Sequence, residues 1–159
     1  MKGKDGSEDA DPAEGFFIEP LGLYLLVDRR AGSIRRTRFS RKRPGEPLPD
    51  GWRGPLLRCW LEGEALPFVL DLSALTAFQR DVLQASAAIP PGETRTYGDL
   101  ARRLGRPRAS RAVGQALSAN PFPLIIPCHR VVAAHGLGGY RWGLDLKKKL
   151  LDLERDRSD

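Results

Sequence analysis

Cysteine and histidine are both scarce in this chain: its 159 residues include two of each. The cysteines, Cys59 and Cys128, are separated by most of a domain, which gives neither a disulfide framework nor a metal-ligand spacing. No metal and no cofactor is therefore expected. Long apolar runs are missing too. No stretch of eighteen exists, so no transmembrane helix and no membrane partner are predicted. Residues 1–14 are polar and mixed in charge, lack the apolar segment of a signal peptide, and read as a disordered tail. These absences point to a reducing, intracellular setting in which a thiol stays free. That means cytoplasm or nucleoid in a bacterium and nucleus in a eukaryote.

Acidic residues are scarce in one window. Between Arg95 and Arg130 seven arginines stand against a single acid, Asp99, while the whole chain carries a formal charge of +6. A basic segment of this kind favours a polyanion such as nucleic acid, the alternative being a solvated basic face. A hydrophobic content of 41% is enough for a packed core. The length suits one domain or two small ones.

Phe16 to Val27 is apolar with Gly22 inside it, and Ser33 to Phe39 alternates weakly. These predict two strands of a hairpin joined by Asp28-Arg29-Arg30-Ala31-Gly32. Arg41 to Pro55 is rich in Arg, Pro and Gly and reads as an exposed connection. Leu56 to Leu61 suggests a short helix and Leu66 to Leu72 another strand. Farther on, Phe78, Val82, Ala85 and Ile89 fall on one helical face, ended by Pro90-Pro91-Gly92. Thr96 is a candidate N-cap with Asp99 in the place of a capping-box acid. It starts a helix from Tyr97 to Leu104 that stops at Gly105, and a second helix follows from Ala109 to Ser118. Two short helices around a glycine-containing turn read as a helix-turn-helix. The second carries small residues, which suit either a groove wall or a tightly packed core. A last helix runs from Leu144 to Arg155, with Leu146, Leu150 and Leu153 as its core stripe. The fold class expected is thus an α/β N-terminal subdomain with a small antiparallel sheet over 15–72. A mainly α C-terminal domain over 73–159 follows, holding the helix-turn-helix and the second cysteine.

Ile126-Pro127-Cys128-His129-Arg130-Val131 is the stretch with chemistry in it. A cysteine beside a histidine supplies the parts of an activated thiolate, the imidazole taking or stabilising the proton and the sulfur becoming the nucleophile. A buried structural cysteine needs neither His129 nor Arg130. By itself this leaves a protease, an acyltransferase and a redox protein open.

Gly92-Glu93-Thr94-Arg95-Thr96-Tyr97-Gly98-Asp99-Leu100-Ala101, Arg111-Ala112-Val113-Gly114, Asn120-Pro121, Pro127-Cys128-His129-Arg130-Val131 and Gly143 through Glu154 occur in one order and spacing. From about Phe78 to the end the chain resembles the O6-alkylguanine-DNA alkyltransferases in all five segments. The first seventy residues resemble that family only loosely. The resemblance implies a one-shot repair reaction: the thiolate displaces the alkyl carbon from O6 of a damaged guanine in duplex DNA, and the protein keeps an S-alkylcysteine. The target lies inside the base stack, so the base must be flipped out.

The resemblance also assigns roles. Cys128 would be the alkyl acceptor. His129 would accept its proton through a water, with Glu154 holding the imidazole; alone, Glu154 would read as a solvated charge. Asn120 would brace the turn that carries the active-site segment. Arg111 would fill the gap left by the flipped nucleotide, and Tyr97 would rotate the 3′ phosphate or hydrogen-bond the base. Arg95, Arg106 and Arg108 would contact phosphates. Tyr140, Arg141 and Trp142, on a glycine-rich loop from Gly136 to Gly143, would wall the pocket, Trp142 narrowing it against benzyl-sized adducts. Lys147 would approach from the last helix, unless Lys147-Lys148-Lys149 is simply a basic solvated face. A monomer is expected, with cooperative binding along DNA left open.

Two other readings compete. Alkyltransferase-like lesion-binding proteins keep the helix-turn-helix but replace the acceptor cysteine, whereas Cys128 is present here. A helix-turn-helix regulator with an incidental Cys-His pair would not explain Asn120 or the Gly136–Gly143 loop.

Overall fold

The computed structural model of the chain describes residues 13–158. Most of the expected N-terminal tail lies outside them, but its last two residues do not behave as tail. Ala13 is buried, and Glu14 opens a strand and pairs its carboxylate with Arg29.

The N-terminal half is a five-stranded sheet with one helix. Strands β1 (Glu14–Ile18), β2 (Leu23–Arg30) and β3 (Ser33–Ser40) form its antiparallel centre. The apolar run Phe16 to Val27 is therefore two strands rather than one, broken by a 3-10 turn at Glu19–Leu21 and by Gly22. Pro20 has no N–H to offer a ladder, which explains the break. The β2–β3 turn is also tighter than expected and consists of Ala31-Gly32, since Asp28, Arg29 and Arg30 belong to β2.

Two-residue strands β4 (Glu46–Pro47) and β5 (Val69–Leu70) add to the edges in the order β4-β1-β2-β3-β5, both in parallel. The sheet is thus mixed and not purely antiparallel. The connection Arg41–Pro55 is partly structured, holding β4 and the start of helix α1 (Arg53–Glu62), which is longer than the expected Leu56–Leu61. Of the strand expected over Leu66–Leu72, only Val69–Leu70 pairs.

The second half is mainly helical. In α2 (Ala77–Ala87), Thr76 and Gln79 form a capping box, and Val82, Leu83, Ala85 and Ser86 face inward. Strand β6 (Arg95–Thr96) leads into α3 (Tyr97–Arg103), where Thr96 and Asp99 make the expected capping box. The helix ends at Gly105 with φ 70°, a left-handed conformation that glycine adopts without penalty. There Gly105 N–H donates to Arg102 and Arg106 N–H to Ala101, satisfying the last carbonyls. α4 (Ser110–Ser118) packs against α2 and α3 through Val113, Ala116 and Leu117. β7 (Val131–Val132) pairs in parallel with β6, and α5 (Leu144–Ser158) closes the chain. Among the described residues, no helix is long and apolar enough to cross a membrane.

One core runs through both halves. It joins Leu25, Ile34 and Trp60 of the first half to Val82, Leu100, Val113, Phe122 and Leu150 of the second. The β6–β7 pairing positions the chemistry, because Tyr97 follows β6 directly and Cys128 precedes β7 by three residues.

Candidate active site

After α4 the chain cannot remain helical, since Pro121, Pro123 and Pro127 each lack an N–H. It folds into a buried turn from Asn120 to Pro127. Asn120 holds that turn closed: its amide donates to Ile126 O at 3.0 Å and its Oδ1 accepts from Phe122 N–H at 2.9 Å. Leu124 sits at φ 74°, a costly conformation for a branched side chain. The first half of the molecule supports the turn from outside. Thr37 of β3 donates N–H to Pro121 O at 2.9 Å and its hydroxyl to Pro123 O at 2.8 Å.

Cys128 then begins a 3-10 turn, Cys128–Arg130, all three residues of which are buried. Its thiol lines a cavity of about 20 Å³ with Tyr97, Gly114, Asn120, Tyr140, Arg141 and Trp142, closed down to the space of a single water. Burial raises the thiol pKa, while the Asn120 amide and the Lys147 charge pull it down.

Behind it lies a buried polar cluster. His129 Nε2 is 2.6 Å from Glu154 Oε1, both side chains being fully buried. Glu154 also accepts from Trp60 Nε1 at 2.9 Å, from Arg130 Nε at 2.9 Å and Nη2 at 3.0 Å, and from Gly92 N–H at 3.4 Å. Arg130 also donates from Nη1 to Ile89 O at 2.7 Å and from Nη2 to Trp60 O at 2.8 Å. Burial alone would raise the Glu154 pKa, but the His129 and Arg130 donors outweigh it and hold the carboxyl at about 2. Because Arg130 already neutralises Glu154, a proton on His129 would add net charge to a dry site. Burial accordingly holds the imidazole below its ordinary value despite the Glu154 contact. A neutral ring donating Nε2–H to Glu154 leaves Nδ1 as a lone-pair acceptor. Among the described residues Nδ1 has no hydrogen-bond partner.

The glycine-rich loop closes the other side. Gly138 has φ 70°, and a Cβ there would stand 2.6 Å from the Tyr97 hydroxyl oxygen and 3.1 Å from Ala133 N. Lys147 is fully buried and donates to Val131 O at 2.7 Å and Gly139 O at 2.9 Å, so the solvated-face reading of this residue is wrong. A helix position next to a leucine stripe can face inward if backbone carbonyls satisfy its ammonium. Burial lowers the Lys147 pKa to about 8, partly offset by Cys128. Trp142 meets Phe39 of β3 edge to face at 5.7 Å, and Arg141 lies 5.5 Å from the Trp142 ring. The Tyr140 hydroxyl is buried and has no hydrogen-bond partner among the described residues.

Residues 77–156 match the family described as 6-O-methylguanine DNA methyltransferase, DNA binding domain. A methylated-DNA–protein-cysteine methyltransferase of Methanosarcina acetivorans is 40% identical over 87% of this chain and 95% of its own. One from Mycobacterium leprae is 48% identical over 86% and 88%. The chain belongs to the methylated-DNA–protein-cysteine methyltransferase family. Among solved structures, Mycobacterium tuberculosis OGT in complex with DNA superposes with a TM-score of 0.75 at 35% identity, covering 91% of this chain and 93% of that one. The O6-methylguanine-DNA methyltransferase of Pyrococcus kodakaraensis gives 0.73 at 26%, covering 89% and 97%.

The remaining sequence candidates of this methyltransferase lie outside the pocket. Arg111 is exposed on α4 with Gln115 and Ser118 on the same outward face, and Arg108 is exposed in the turn before it. Arg106 reaches over the Phe78 ring at 5.2 Å. Arg95 is held by Glu93 at 2.7 Å, so its charge is partly matched. Arg130, counted in the basic window, belongs instead to the buried cluster and adds nothing to the basic surface. Its position between His129 and two valines was the available signal. Trp60 lies 94 positions from Glu154 and gives none. A cavity of about 870 Å³ lies between the end of α1 and α2 and reaches the site at Ile89, Ile125, Ile126, Pro127 and Arg130.

Proposed function

We propose that Cys128 takes the alkyl group from O6-alkylguanine in double-stranded DNA, once per protein molecule. His129 Nδ1, which has no hydrogen-bond partner among the described residues, accepts the thiol proton through a bridging water. Glu154 stabilises the imidazolium, and Lys147 stabilises the thiolate. The Sγ–C bond forms as the C–O6 bond breaks. The electron pair returns to the purine, which takes up at N1 one proton equivalent to the one the thiol gave to His129, and the thioether stays on the protein. Nothing in the cluster regenerates the thiol, so each molecule acts once.

α3 and α4 act as a helix-turn-helix against the DNA. Arg111 fills the gap left by the flipped base, and Arg95, Arg106 and Arg108 contact phosphates. Such contacts are indifferent to sequence and salt-dependent, which suits a protein that must inspect any DNA. The cavity at Cys128 holds no purine as it stands, so the Gly136–Gly143 loop moves away from Tyr97 when the base enters. Tyr97 contacts the base or its 3′ phosphate, and Tyr140, Arg141 and Trp142 wall the pocket. The protein works as a monomer in a reducing, intracellular compartment.

The observation that carries this reading is the buried Cys128 backed by a histidine with Nε2 committed to Glu154 and Nδ1 without a partner among the described residues. Stoichiometry tests it. Excess O6-methylguanine duplex should lose one methyl group per protein molecule and then no more. Continued turnover, or tight binding with no methyl transferred, would contradict it.

A further inference from the structure

The charge of this chain has a second centre that the arginines around α4 do not include. From Arg29 to Arg43 there are eight basic residues and no acid. This stretch is the end of β2, the whole of β3 and the turn after it. Side chains alternate along a strand, so Thr37 and Phe39, which hold the active-site turn and Trp142, share one face of β3. Arg36 and Arg38 share the other. Among the described residues no acid pairs with Arg36 or Arg38, whereas Arg29 is taken by Glu14 and Asp71 acts on Arg35. Beyond Ile34 the outer edge of β3 is free of β5 and lies against the turn at Pro121.

Between this edge and the glycine-rich loop runs a cleft of about 270 Å³, lined by β3 residues 36–39 from both faces of the strand, by Asn120 and Pro121, and by Arg141 and Trp142. Asn120, Arg141 and Trp142 also line the Cys128 cavity, so the cleft and the reactive pocket share a wall. Three arginines and no carboxylate line this cleft, so its net positive charge favours an anion. Their forked donors suit phosphate oxygens.

We infer that Arg36, Arg38 and Arg141 form a phosphate-binding cleft that grips a DNA backbone phosphodiester beside the reactive pocket, so that β3 is part of the DNA-binding surface. This rests on DNA being the substrate, as proposed above. A duplex held at both α4 and β3 would be clamped across the pocket mouth. The cleft would also link DNA binding to the position of Trp142, which lines it.

The test is the salt dependence of binding to a duplex containing O6-methylguanine, for the wild type and the double variant Arg36→Gln/Arg38→Gln. Removing one phosphate contact should reduce the slope of log K against log salt by roughly 0.9. The double variant should therefore show a shallower slope by about one to two and weaker binding at low salt. Arg36→Lys/Arg38→Lys should restore most of the slope. Circular dichroism and the urea midpoint check that each variant is folded. A folded Gln variant with unchanged slope and affinity would overturn the cleft. A variant that loses only binding of inorganic phosphate, with duplex affinity intact, would also overturn it. Methyl transfer by the wild type, scored on the same duplex, separates failure of this inference from failure of the repair reading.

Discussion

The imidazole of His129 touches the Glu154 carboxylate through Nε2 at 2.6 Å, and this contact decides which face of the ring can work as a base. With Nε2–H committed, only Nδ1 is left to take a proton. The carboxylate is itself committed to Arg130 through two bonds of 2.9 and 3.0 Å, and burial, ahead of the Arg130 charge, holds the imidazole pKa below its ordinary value. A charged pair in a dry site is costly to break, because the survivor is stranded. Arg130→Ala should therefore destabilise the protein by roughly 3–5 kcal/mol in urea unfolding. Arg130→Lys should recover only part, since an ammonium cannot reproduce the forked contact.

Acid should unfold the protein in two stages. His129 is held below its ordinary value of 6.5 chiefly by burial, so the unfolded chain binds the proton more readily than the folded one. Its contribution is complete above about pH 6.5 and drains as the pH falls. Glu154 follows lower. Its carboxyl sits at about 2 against an ordinary 4.5, so its contribution is complete above about 4.5 and is lost as the pH falls toward 2. The second stage is worth about 3 kcal/mol. Urea midpoints measured from pH 8 to 3 should fall in both windows for the wild type, and Glu154→Gln should lack the lower stage.

Gly138→Ala should disable transfer with a smaller effect on folding. A methyl group there meets the Tyr97 hydroxyl at 2.6 Å, and φ 70° disfavours any side chain. The loop must shift away from Tyr97 and Lys147, which changes the pocket more than the core. A fall in the transfer rate constant of tenfold or more, with a urea midpoint close to that of wild type, is the expected pattern. An unchanged rate constant would remove the loop from the pocket.

Trp142 should set the size limit of the adduct. The ring lines the Cys128 cavity and is held from behind by Phe39. Wild type should transfer methyl much faster than benzyl from matched duplexes, and Trp142→Gly should narrow the gap. Comparable methyl and benzyl rates in the wild type would refute the limit.

Local features of this chain are legible in the sequence where tertiary ones are not. The capping box at Thr96 and Asp99, the glycine stop at 105 and the two helices beyond follow from side-chain chemistry within one turn. The proline-rich turn held by Asn120 is legible for the same reason. Phe16 to Val27 misleads because a continuous apolar run shows no alternation at the place where Pro20 and Gly22 break it. Arg130 and Lys147 mislead because charge alone predicts exposure, and only the fold supplies the Glu154 carboxylate or the carbonyls of Val131 and Gly139. Thr37 and Phe39 cannot be found at all, since their partners Pro121, Pro123 and Trp142 lie more than eighty residues away. Long-range contacts of that kind leave no periodic trace.

Alkyl transfer to Cys128 is tested most directly by the mass of the Cys128 peptide after incubation with a duplex containing O6-methylguanine. One methyl group is expected on that peptide, none on the Cys59 peptide, and none in Cys128→Ser. An unmodified Cys128 peptide from protein that binds the lesion, or a methyl group on another residue, would contradict it.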